Sequence, residues 1–89
     1  MIQFYAVWQV GGPIYGIDTT AHGAFEYALE WLDKGTTVDD IFEGHPSQAP
    51  DGALIVVPCS AKLAITVKEE GGDQAVDLDD GYLVLIDEL

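Results

Sequence analysis

Cys59, His22 and His45 are the residues from which a nucleophile and its base would have to be drawn. A thiol needs an adjacent base or a lowered pKa before it attacks, and no local signature joins either histidine to Cys59. A lone cysteine after an apolar run behaves as a small core residue. Two histidines without a matching cysteine set give no zinc spacing. His22 and Glu26 stand at i, i+4, which suits a local electrostatic contact on a helix. Asp77-Leu78-Asp79-Asp80-Gly81 suggests a calcium loop, but setting Gly81 at the sixth EF-hand position puts Val76 and Leu78 where the first and third ligands belong. Gly11-Gly12-Pro13-Ile14-Tyr15-Gly16 lacks the Lys-Ser/Thr of a phosphate loop and lies between two strand-like runs, so it reads as a hairpin turn. No catalytic residue, metal ligand or cofactor is assigned, and a non-enzymatic protein is expected.

Charge carries more information. Among 89 residues there are 16 Asp and Glu against three Lys and no Arg, for a formal net charge of −13. Like charges on so small a body repel one another, a cost tolerated where it serves solubility or a cationic partner. Nucleic acids and anionic lipid surfaces are poor partners, because phosphate binding relies on Lys and Arg. Two acidic concentrations stand out. Glu26, Glu30 and Asp33 fall at i, i+4 and i+7 on one helical stripe, followed by Asp39, Asp40 and Glu43. The second includes Asp77, Asp79 and Asp80, within a C-terminal stretch that has no cation after Lys68. Duplex DNA carries one charge per about 1.7 Å of axis, and a rigid row of carboxylates presents a similar potential to a groove built for phosphates. Tyr27 and Trp31, also i, i+4, flank the stripe; exposed, they would be interface anchors, and otherwise they pack under the sheet or a loop.

The elements that must position these groups follow from periodicity. Ile2 to Val10 alternates as a strand, with Tyr5 and Val7 suggesting that both faces are partly covered. Ile14 to Ile17 is the return strand. Asp18-Thr19-Thr20 offers N-caps to a helix over Ala21 to Lys34, with Ala21, Phe25, Ala28, Leu29 and Leu32 on its apolar face and Gly35 as its stop. Thr37 caps a short helix through Glu43. Leu54 to Val57 is a buried strand, Lys62 to Lys68 alternates as another, Ala75 to Leu78 pairs weakly, and Tyr82 to Ile86 is a firm strand after the Asp79-Asp80-Gly81 turn. The expected fold is a single α+β domain over residues 1–89: an antiparallel sheet of four to five strands, one main helix and one short helix, in the order β-β-α-(α)-β-β-β.

In size, charge and mixed composition the whole chain resembles the small acidic inhibitors of phages and mobile elements, a class that includes anti-CRISPR proteins and DNA mimics. The resemblance rests on the Glu26/Glu30/Asp33 stripe, Asp39-Asp40 and the C-terminal acids. It implies a protein that evades host defence by occupying the basic nucleic-acid-binding surface of a defence or DNA-processing complex. The contacts expected are Glu26, Glu30, Asp33, Asp39, Asp40, Asp77, Asp79 and Asp80, with Tyr27 and Trp31 as anchors. The alternative is a structural or oligomer-forming protein whose acidity serves solubility or halophily, with Tyr82 to Ile86 as a pairing edge and a homodimer as its form. No basic N-terminal region or long apolar run marks a targeting or membrane segment, so the cytoplasm is the expected location.

Overall fold

Alternation in the first strand decides the layering. The computed structural model describes residues 2–89, and in it β1 (Phe4–Gln9) sends Ala6 and Trp8 to one face and Tyr5 and Val7 to the other. β1 pairs antiparallel on one side with β2 (Ile14–Asp18) and on the other with β3 (Leu54–Cys59). The β1–β2 turn is held by Gly12 N donating to the Gln9 carbonyl at 2.7 Å and by the Trp8 indole N–H donating to the Gly12 carbonyl at 3.0 Å. β5 (Tyr82–Leu85) lies parallel to β3, with Cys59 opposite Leu83, and β4 (Val76–Asp79) pairs antiparallel to β5. The sheet order is β2-β1-β3-β5-β4.

The helices cover opposite faces. α1 (Ala21–Ala28) starts where the Thr20 hydroxyl accepts from Gly23 N, and buries Ala24, Phe25 and Ala28 against Val7. It lies so close to β2 that a Cβ on Gly16 would strike the Ala24 carbonyl and come within 2.8 Å of Ala28 N. α2 (Ala61–Glu70) starts at Ser60, whose hydroxyl accepts from Leu63 N, and buries Leu63 and Ala64 against Ala6, Ile55, Val57 and Leu83. A five-stranded sheet with one helix on each face is α+β architecture, and no helix among the described residues is long and apolar enough to cross a membrane.

Several sequence expectations change. Lys62 to Lys68 is helix, not strand. Its alternation of Leu63, Ile65 and Val67 is outranked by the Ser60 cap and by a core-facing Leu63, Ala64 and Val67 set, which leaves Ile65 54% exposed. That helix leads to β4, and the β4–β5 hairpin then returns β5 beside β3 in parallel, so the sheet is mixed, not antiparallel. α1 stops at Ala28, six residues before Lys34, because the backbone tightens: Trp31 N reaches back only three residues to the Ala28 carbonyl, and Leu32 settles half-buried beside the α1 core. The short helix after Thr37 is one 3₁₀ turn over Val38–Asp40, ended because Ile41 becomes extended and bridges Leu54. β5, expected as an edge, lies between β3 and β4.

Candidate protein interface

β2 is one edge of the sheet, and both helices end beside it. A groove of about 640 Å³ runs along this edge. The end of α1 supplies Tyr27, followed in the chain by Trp31. The end of α2 supplies Val67 and Lys68, followed by Gly71 and Gly72, and the floor is Ile14 to Ile17. Tyr27 is 58% and Trp31 68% exposed, so neither aromatic is absorbed by the core. Trp31 and Tyr15 also line an adjoining hollow of about 200 Å³ that Asp33 borders. Tyr15 is the extra residue of a bulge, since Val7 faces Gly16 while Trp8 faces Ile14, and its hydroxyl lies 2.9 Å from Gln9 Oε1.

The edge is closed at one end only. Ile14 N donates to the Gly72 carbonyl at 2.9 Å, and the backbones touch so closely that a Cβ on Gly72 would collide with the Ile14 carbonyl. Among the described residues, the outer side of Tyr15 to Asp18 has no further backbone partner. Exposed acids adjoin the lining residues in the chain: Asp18, Glu26, Glu30, Glu69 and, after Gly72, Asp73. Lys68 is the one cation in the lining, and among the described residues it has no ion pair.

The structure divides the acids named from sequence. Glu26 is on α1, where Oε1 meets His22 Nε2 at 2.9 Å on an exposed surface. Glu30 and Asp33 lie beyond the end of the helix, so no continuous helical stripe links all three. Asp40 serves the local backbone, because its carboxylate accepts from Thr37 N at 2.8 Å and caps the 3₁₀ turn in which Asp39 also sits. Asp77 and Asp79 are exposed on β4, and Asp80 has φ 52° beside Gly81 at 85° in the two-residue turn to β5. β4 and β2 are opposite sheet edges. They stand at the two ends of the strand order β2-β1-β3-β5-β4. The structure therefore brings Tyr27 and Trp31 to one edge, with Asp33 at the adjoining hollow and Glu26 and Glu30 as their neighbours in the chain, and leaves Asp77, Asp79 and Asp80 at the other.

Sequence reasoning misses the α2 wall of the groove because Lys62 to Lys68 alternates like a strand. A helix signal is present in Ser60, three residues before Leu63, and in Gly71 at the end of the run.

Cys59 is 2% exposed, and its thiol is pushed up to about 12, chiefly by burial and further by the Glu88 carboxylate. It is a protonated thiol at neutral pH, unsuited to attack. Glu88 Oε2 accepts from Ser60 Oγ and from Leu85 N, both at 2.7 Å, tying the C-terminal turn to the start of α2. His22 is on the helix covering the opposite face from Cys59, and His45 Nδ1 caps a 3₁₀ turn by accepting from Ser47 N. Among the described residues no group of three or more His, Cys, Asp or Glu is placed to share a metal ion. Comparison with protein-family models, curated proteins and solved structures found no match.

Proposed function

We propose that this protein is a non-enzymatic acidic inhibitor that occupies the cationic, nucleic-acid-binding surface of a host-defence or DNA-processing complex. One observation carries the reading: Tyr27 and Trp31 stand exposed over an apolar groove whose lining residues have acids as chain neighbours, in a chain of net charge −13. Long-range attraction raises the encounter rate and favours a cationic partner. Exposed aromatics then give the contact its lifetime, since buried Trp and Tyr dominate interface energetics. Glu26, Glu30 and Asp33 are the principal acids of the contact. Asp39, six residues beyond Asp33, and Asp77, Asp79 and Asp80 act at longer range. Inhibition is by occlusion, so the partner cannot hold duplex DNA and this protein together.

The test is capture from a host lysate on the immobilised protein, with duplex DNA as competitor. The expected result is a nucleic-acid-binding complex that duplex DNA releases and that added salt weakens. Glu30→Lys with Asp33→Lys is expected to abolish capture while leaving the fold intact, because both side chains are exposed. Capture that ignores both the DNA and the double variant would refute the proposal.

A further inference from the structure

We infer that β2 accepts a short extended segment of the partner as a sixth strand, with Lys or Arg side chains of that segment lying against Tyr27 and Trp31. This rests on the reading that the partner is cationic. Three features converge. The outer side of Tyr15 to Asp18 offers backbone groups with no backbone partner among the described residues, and an edge strand in that state is a template for strand addition. The Gly72 contact at Ile14 limits the available length to four residues, about 13 Å of strand. The groove along that edge is lined from the ends of both helices, so an added strand would lie between Tyr27 and Trp31 on one side and Val67 and Lys68 on the other.

Charge complementarity selects the occupant and its pattern. Side chains of an added strand alternate between the two walls. The α1 wall presents Tyr27 and Trp31, with Asp33 bordering the hollow that Trp31 shares, and a cation stacked on an aromatic face near a carboxylate gains from both. The α2 wall presents Val67 and the ammonium of Lys68, which suits apolar side chains and repels cations. The segment is therefore one in which basic and apolar residues alternate. A second copy of this chain is disfavoured, because it brings the same acids and the same −13 charge to the edge.

The probe is an acetylated and amidated peptide, Thr-Val-Lys-Val-Arg-Val-Thr, titrated at low ionic strength into the full ¹⁵N-labelled chain. Expected are amide shifts centred on Tyr15 to Asp18, a shift of the Trp31 indole, and slowed hydrogen exchange at the β2 amides. Trp31→Ala, a change at an exposed side chain, is expected to weaken binding about tenfold. The same peptide N-methylated at alternate residues keeps its charge and loses its backbone donors, and it is expected to bind at least tenfold more weakly. Equal binding of the N-methylated peptide overturns strand addition and leaves the cationic-partner reading standing. Equal binding of a peptide with Glu in place of Lys and Arg overturns both. Absence of shifts at β2 with millimolar peptide, or a stable dimer without peptide in sedimentation, overturns the inference alone.

Discussion

The two edges of the sheet solve the same problem differently. A bare edge invites pairing with other chains. At the β4 edge the strand is only four residues long, carries Asp77 and Asp79 on its solvent-facing positions, and ends in the tight Asp80-Gly81 turn. Those acids have a sufficient local explanation as edge protection and turn chemistry. At the β2 edge the closure among the described residues is partial, by Gly72, and exposed aromatics stand where charge would ordinarily be placed. Large apolar groups at an incompletely closed edge are a liability unless something covers them. Negative charge alone is therefore a poor guide to a contact surface in this chain, and the proposed interface rests on acids that accompany the exposed Tyr27 and Trp31.

The largest expected effect comes from separating α1 from the β2 edge. Gly16→Val would drive a side chain into the α1 backbone at Ala24 and Ala28, with an expected loss of about 3 kcal/mol in urea unfolding. An unchanged midpoint would mean that α1 does not rest on β2 as described. Next comes the direct contrast of edges. Glu30→Lys with Asp33→Lys is expected to lower partner affinity by tenfold or more, whereas Asp77→Lys with Asp79→Lys lowers it about threefold, through slower association. Surface plasmon resonance separates the two: equal losses for both pairs would erase the distinction.

A smaller effect sharpens the view of β4 as a protected edge. Asp77→Val with Asp79→Val turns Val-Asp-Leu-Asp into an uninterrupted apolar edge strand, and concentration-dependent association by light scattering is expected. The smallest is confined to alkaline solution. The Cys59 thiol titrates near 9 when unfolded and about 12 when folded, so the folded chain holds its proton more tightly. Its contribution to stability is complete below pH 9 and declines as pH rises from 9 to 12, by at most about 1.4 kcal/mol per pH unit. Cys59→Ala is expected to remove that part of the slope measured by urea unfolding. The native thiol is also expected to resist Ellman's reagent at about pH 8, where the unfolded chain reacts.

Local physics made much of the fold legible. Alternation marks β1, Asp18-Thr19-Thr20 marks the start of α1, where Thr20 is the cap, and Asp79-Asp80-Gly81 marks the hairpin, because each signal is carried by neighbouring residues. The misreadings arose where distant packing decides. Leu63, Ile65 and Val67 satisfy a period of two, and only the sheet face beneath Leu63 and Ala64 selects the helix. Nothing near Trp31 in sequence says that α1 tightens after Ala28 so that Leu32 can reach the core. The candidate site was half visible. Tyr27, Trp31 and the adjacent acids could be named, but the second wall required knowing that α2 ends beside β2, a meeting of residues more than 50 positions apart.

The most direct test is a hydrogen-exchange footprint of the protein bound to its captured partner. Slowed exchange over residues 15–18 and 27–31, with residues 76–82 unchanged, is the expected result. Protection confined to β4 and its turn, with β2 and the end of α1 exchanging as freely as in the unbound protein, would contradict the assignment of the aromatic edge as the binding surface.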